Sequence, residues 1–251
     1  MMNSEKEHAT EAMELEHQPP SLPGGVANRL RAPQAWSGCD QATRQKLQNF
    51  YQQAYLYTKA AKGFLYRLKS LPPEQRKAVW NGQGHQCKSG KRCRYFPVPA
   101  YWFGPYSEKR MRFILFVFTH VLQRFELGFR FGRQSRPVRF QCVPAGVGRC
   151  RIGVIANASQ YGTVRVCPRL LNKTTGVGGM VVLHEMLHQD LGVGDQRDLV
   201  CQRGDENRCY RRGARRLVAH QLLEKAIRNN DNYAFFARAI YLRASQTGTQ
   251  M

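Results

Sequence analysis

Two histidines and a glutamate at fixed spacing are the residues of this chain most suited to do chemistry. They stand in Val181-Val182-Leu183-His184-Glu185-Met186-Leu187-His188. On a helix, positions i and i+4 lie one above the other, so His184 and His188 can hold one metal ion from a single face. Glu185 lies about 100° further round the axis and reaches a water beside that metal. Val182, Leu183, Met186 and Leu187 would sink the helix into a core. This is the His-Glu-x-x-His pattern of zinc hydrolases, with two neutral imidazole ligands and a carboxylate that takes a proton from water activated by Zn2+. The competing explanation is a buried helix that merely contains these three residues.

A catalytic zinc takes three protein ligands and leaves one position open. The long pattern His-Glu-x-x-His-x-x-Gly-x-x-His is absent, because Leu191 stands where Gly belongs and Gly194 where the third His belongs. The third ligand is therefore expected downstream. The polar loop from Gln189 to about Arg212 offers Asp190, Asp195, Asp198, Asp205, Glu206 and Asn207, and Glu224 lies on the helix beyond it.

Several elements must position such a site. Trp36 to Asp40 opens the globular part, and Ser37 or Asp40 would cap the next helix. Leu47, Phe50, Tyr51, Ala54 and Tyr55, resumed by Ala61, Phe64, Leu65 and Leu68, form one face of a helix reaching Leu71-Pro72-Pro73. A second helix over Glu108–Glu126 is apolar nearly all round and is expected to be buried. Strands are expected over Val138–Cys142, Cys150–Ile155 and Thr163–Cys167. Gly176-Val177-Gly178-Gly179 leads into the metal helix; further helices are expected from about Gly213 to Glu224 or Ala226 and over Tyr233–Leu242. Residues 1–34 read as a disordered tail, acidic and then rich in Pro and Gly, before one domain over 35–246.

Composition adds bounds. The 251 residues carry 39 Lys+Arg against 17 Asp+Glu, a net charge of +22. The first sixteen residues hold five glutamates and one lysine, so the basic charge belongs to the remainder. Such a surface attracts nucleic acid, anionic membranes or acidic polymers, although no nucleic-acid motif is present. Eight scattered cysteines suit up to four disulfides and an oxidising compartment. Cys87-x5-Cys93 and Cys201-x7-Cys209 look like locally closed loops. His85 near the first pair lacks the companions of a metal knuckle. The N-terminus has no apolar region of a signal peptide, and Phe113–Leu122 is too short to span a bilayer. The expected location is secreted or extracytoplasmic by a route without an N-terminal signal. Asn157-Ala158-Ser159 and Asn172-Lys173-Thr174 match glycosylation acceptors.

Beyond His184-Glu185-x-x-His188, four features occur together. They are Trp102-Phe103-Gly104 before a long helix, Phe140-x-Cys142, Val166-Cys167-Pro168, and Asn229-Asn230-Asp231-Asn232-Tyr233-Ala234-x-Phe236-Ala237. Over roughly residues 36–243 the chain resembles the aspzincins, the deuterolysin and peptidyl-Lys metalloendopeptidase group. The resemblance implies an α+β, zincin-like metalloprotease fold, mainly helical with a small sheet before the active-site helix. It implies a zinc endopeptidase acting on protein or peptide, with His184 and His188 as ligands and Glu185 as general base; a monomer is expected, and the cysteines with the acidic N-terminus lacking a signal peptide suggest a secreted or effector-type protease. The family pattern Gly-Thr-x-Asp-x-x-Tyr-Gly supplies the third ligand and an assisting tyrosine. Laid on Gly204-Asp205-Glu206-Asn207-Arg208-Cys209-Tyr210-Arg211, it puts Asn207 at the ligand position and Tyr210 at the tyrosine. Asn is a poorer zinc ligand than a carboxylate, so Asp205, two residues away, is the first candidate, with Asn207 and Asp198 as alternatives. Tyr210 would donate a hydrogen bond to the oxyanion, and Asp231 reads as helix-capping or supporting. The alternative function is a catalytically impaired zincin-fold protein that binds nucleic acid or anionic polymers through its basic surface.

Overall fold

The structure, a computed structural model, describes residues 30–33, 35–83, 98–131, 134–150, 154–159, 162–188, 193–201, 209–210 and 212–247. It is an α+β fold of helices around a small sheet. The helices are α1 (Gln41–Ser70), α2 (Pro73–Trp80), α3 (Pro99–Phe103), α4 (Glu108–Leu127), α5 (Pro168–Leu171), α6 (Thr175–Leu187), α7 (Arg212–Ala219), α8 (Leu223–Ala226) and α9 (Asn230–Thr247). The strands are β1 (Ala35–Ser37), β2 (Phe129–Phe131), β3 (Gln134–Arg136), β4 (Arg139–Cys142), β5 (Ala156–Ser159) and β6 (Thr163–Val166). The main sheet has the order β1-β4-β6-β5. β4 is parallel to both β1 and β6, and β5 is an antiparallel edge strand on β6. β2 and β3 form a separate antiparallel pair.

The long helix α1 is the axis of the core. Asp40 caps it by accepting from the Thr43 amide at 2.7 Å. Its apolar face buries Leu47, Phe50, Tyr51, Ala54, Ala61 and Leu65, as the spacing predicts, against α4, α6 and α9. Helix α4 departs from expectation: it buries Met111, Ile114, Phe118, Val121 and Phe125 but leaves Phe116 about half exposed.

Helix α6 carries the His-Glu-x-x-His residues, and its seat on α1 explains its glycines. The stretch expected as a lead-in, Gly176 to Gly179, is the first part of the helix itself, because Thr174 caps it by accepting from the Val177 amide. Glycine inside a helix costs roughly 0.5–1 kcal/mol relative to Ala. Here it permits close approach. A methyl group on Gly178 would lie 2.4 Å from carbons of the Phe50 ring, and one on Gly179 would lie 2.7 Å from the Gln53 side chain. The helix is fastened at both ends. Tyr57 donates its hydroxyl to the Gly176 carbonyl at 3.1 Å, and Arg124 donates to the Met186 carbonyl at 2.9 Å, placing a cation at the helix C-terminus.

Three disulfides join described residues. Cys39–Cys142 ties the end of β1 to the end of β4, Cys150–Cys167 closes the segment before β5 onto the end of β6, and Cys201–Cys209 closes a loop as its spacing predicts. His85, Cys87 and Cys93 lie outside the described residues. No helix of the described residues is long and apolar enough to cross a membrane.

Two further expectations are corrected. The strand expected over Cys150–Ile155 starts only at Ala156; of that stretch, Val154 and Ile155 are not in a strand and residues 151–153 lie outside the described residues. β5 therefore contains Asn157-Ala158-Ser159. Both polar atoms of the Asn157 side chain are buried, which leaves no room there for a glycan, whereas Asn172 is exposed after α5. The helix expected from about Gly213 to Glu224 or Ala226 is split into α7 and α8, because Gln221 turns into the left-handed region with φ 59°.

Replacing Gly178 with Ala should cost about 1–3 kcal/mol, since the added methyl must displace a fully buried ring. Urea unfolding of the variant measures it. A midpoint equal to or above that of the parent contradicts the close-packing account.

Candidate metal centre

The two histidines stand where their spacing places them. His184 lies in the last turn of α6, and His188 caps the helix with φ −62° and ψ −7°, still on the same face. Their ring centroids are 5.0 Å apart. The residue that completes the group is Asp195. One ligand atom each from His184, His188 and Asp195 lies within 4.8 Å of the other two, the only such group among the described residues. Asp195 Oδ1 is 3.1 Å from His184 Nε2 and 3.4 Å from His188 Nε2.

The donor set fits a metal such as zinc. His184 Nδ1 lies 2.6 Å from Asp231 Oδ1. A carboxylate only accepts, so this nitrogen carries a proton, and in a neutral ring Nε2 is left with its lone pair toward Asp195 and His188. Metal-binding histidines are commonly oriented by a carboxylate in this way. Asp195 Oδ1 and Glu185 Oε2 are both buried and have no aligned hydrogen-bond partner among the described residues. An uncompensated buried carboxylate oxygen is costly, and a cation relieves that cost.

The electrostatics agree. At His184, burial opposes the charged ring, but Asp231 and the contacts with Asp195 raise its pKa well above the ordinary value. At Asp195, burial pushes the carboxyl up. The two imidazoles and the Tyr210 hydroxyl, which donates to Oδ2 at 2.5 Å, outweigh it and hold the group far below the usual range. Glu185 is 5% exposed, and burial raises its pKa despite the nearby imidazoles and the Ala158 amide. A buried carboxylate with raised basicity on the turn between the histidines suits proton transfer.

The other expected site residues fall differently. Tyr210 stands beside the centre, its ring centroid 5.9 Å from that of His184. Asp231 supports His184, in keeping with its expected supporting role. Asp198 is held elsewhere, in an ion pair with Lys225 at 2.6 Å and accepting from the Val200 amide. Asp205 and Asn207 lie outside the described residues. Asp195 was only one of several loop carboxylates in the sequence. A signal for it exists, since Gly192-Val193-Gly194-Asp195 fits the Gly-x-x-Asp half of the family pattern, where the stretch from Gly204 has Asn207 in place of the aspartate. The pattern puts its tyrosine three residues after the aspartate, whereas here Tyr210 is 15 residues after Asp195, so the unbroken motif points to the segment from Gly204 instead. The intervening chain is closed by the Cys201–Cys209 disulfide, which returns Tyr210 to its partner.

The fold is similar to that of a zinc peptidase from Grifola frondosa. The superposition covers 80% of this chain and 96% of that one, with a TM-score of 0.52 and 18% sequence identity. No family model matches the sequence, and no curated protein matches it.

Two outcomes follow for metal binding. Asp231→Asn should lower zinc affinity about 10–100-fold while preserving the fold, because the amide matches the carboxylate in shape but not in charge; chelator competition reads this. A proton and a metal compete for the same His184 nitrogen. Raising the His184 pKa therefore weakens binding on the acid side, and zinc affinity should climb with pH between about 6 and 8. A flat profile there contradicts the assigned protonation.

Proposed function

We propose that the protein is a zinc-dependent endopeptidase. The observation that carries this reading is the convergence of His184, His188 and Asp195, with the buried Glu185 carboxylate beside them, on a fold similar to that of a zinc peptidase. In this reading Asp195, rather than Asp205, is the third ligand. Zinc held by these residues supplies Lewis acidity, which lowers the pKa of a water and polarises a carbonyl.

The chain's own groups do the rest. Glu185 takes the proton of the attacking water and passes it to the leaving amine. The peptide adds as a further strand along β5, the edge strand of the sheet among the described residues, where the Ala158 amide already points at Glu185. That alignment lays the scissile bond across α6. Asp231 keeps His184 in the tautomer that offers Nε2. Tyr210 fixes Asp195 in the free chain; the oxyanion role implied by the resemblance requires its hydroxyl to leave Asp195 when substrate arrives. The disulfides support a chain that matures in an oxidising, extracytoplasmic setting.

The charge of +22 favours a second contact, with nucleic acid or anionic polymers, through the basic surface. Heparin or DNA binding that falls steeply between low and moderate salt is its signature; salt-independent binding excludes it.

The peptidase reading is tested by zinc analysis and casein cleavage on disulfide-intact protein. The parent should hold one zinc per chain and lose activity to a chelator. Glu185→Gln should keep the zinc and lose cleavage by at least about 10²-fold, whereas Asp195→Ala should lose the zinc itself. Absence of both zinc and cleavage in the folded parent sinks the proposal.

A further inference from the structure

Asp195 and Tyr210 belong to different loop segments, and neither stands in a helix or a strand. Besides the Cys201–Cys209 disulfide, one buried amide side chain bonds to both segments. Asn229, 0% exposed, precedes α9. Its Oδ1 accepts from the amide of Gln196, the residue after Asp195, at 3.5 Å. Its Nδ2 donates to the carbonyl of Cys209, the residue before Tyr210, at 3.0 Å, and to Asn232 Oδ1 at 2.6 Å. The orientation of both amides is determined by their neighbours. Asn232 Nδ2 donates to the carbonyls of Trp102 and Ala214, so its oxygen is left to face Asn229, and the Cys209 carbonyl can only accept. Main-chain bonds run alongside. Gly194 pairs with Asn229 in a bridge, the Asn230 amide donates to the Gly194 carbonyl at 3.3 Å, and Cys209 donates to Gln196 at 2.9 Å. Two residues further on, Asp231 holds His184.

We propose that Asn229 is a positioning residue of the metal centre, the junction that sets Asp195 and Tyr210 against the histidine face of α6. The inference rests on the metallopeptidase reading and deepens it. Only an amide offers an acceptor to one loop and two donors to the other loop and to Asn232. A carboxylate of the same shape would keep the bond from Gln196 and place an oxygen against two other oxygens. An apolar side chain would leave all three partners unsatisfied in a buried place. The Cys201–Cys209 disulfide and the bond from Cys209 to the Gln196 carbonyl close the loop on itself, and Asn229 adds the link that ties both segments to the start of α9.

The test compares the parent, Asn229→Asp and Asn229→Ser, with Val117→Ala in the α4 core as a control for destabilisation alone. Zinc affinity is read by chelator competition with Zn2+, folding by circular dichroism and thermal unfolding of the metal-free protein, and turnover by peptide cleavage. A positioning role predicts that Asn229→Asp binds zinc about 10–100-fold more weakly and loses kcat more than KM. Val117→Ala should lower thermal stability while keeping zinc affinity within about twofold of the parent. Asn229→Ser, which disturbs the site less, is the arm to read if the aspartate variant does not fold. Zinc affinity unchanged in a folded Asn229 variant, or lowered equally in Val117→Ala, overturns the proposal. A parent that binds zinc but cleaves nothing removes the peptidase reading, and the affinity ratio then decides the role of Asn229 by itself.

Discussion

The bond between His184 Nδ1 and Asp231 Oδ1, 2.6 Å long, joins the metal helix to the start of α9, and the rest of the site is arranged around the charges it brings together. Three carboxylates, Glu185, Asp195 and Asp231, face two imidazoles in a region largely withdrawn from solvent. Removing that much negative charge from water is unfavourable unless cations answer it. A proton on His184 answers it in part, in keeping with the raised pKa of that ring. A divalent cation shared by the imidazole nitrogens and Asp195 answers it better. The burial that makes the arrangement costly is also what makes Glu185 a stronger base than an exposed glutamate.

That burial is supplied by close packing. Gly178 and Gly179 let α6 settle onto Phe50 and Gln53 of α1, and Tyr57 and Arg124 fasten its two ends. The opposite wall is β5, whose Ala158 amide reaches Glu185. Disulfides hold the frame of the sheet at Cys39–Cys142 and Cys150–Cys167, while Cys201–Cys209 acts within the site loops. Through the buried Asn229 and Asn232, those loops are bound to α9 and α3 rather than to each other alone.

Much of this was legible in the chain before any coordinates. The 3.6-residue periodicity of α1 predicts most of its buried face, because an amphipathic helix writes its packing into its sequence, although Phe64 is only partly buried and Gln53, Tyr57, Thr58 and Ala60 are buried beside the expected stripe. Val182, Leu183, Met186 and Leu187, expected to bury the metal helix, are all inaccessible to solvent. Short elements were less legible. β5 is a polar edge strand of four residues and carries no alternating apolar signal, so its residues resembled a surface acceptor site instead. The glycines before His184 looked like a linker because the ring that requires them, Phe50, is more than a hundred positions away.

The sequence by itself determined the helix face bearing His184, Glu185 and His188, because that geometry depends only on the helical repeat. The α+β class was likewise legible, while Asp231 was read from the resemblance only as helix-capping or supporting, and its bond to His184 comes from the fold. Which carboxylate meets the histidines was decided by tertiary structure. A loop has no period, and several aspartates lie within its reach, so the choice follows from how Asn229, the Cys201–Cys209 closure and the start of α9 bring distant segments together. They leave Asp198 on Lys225 and set Asp195 between two imidazoles and a phenol.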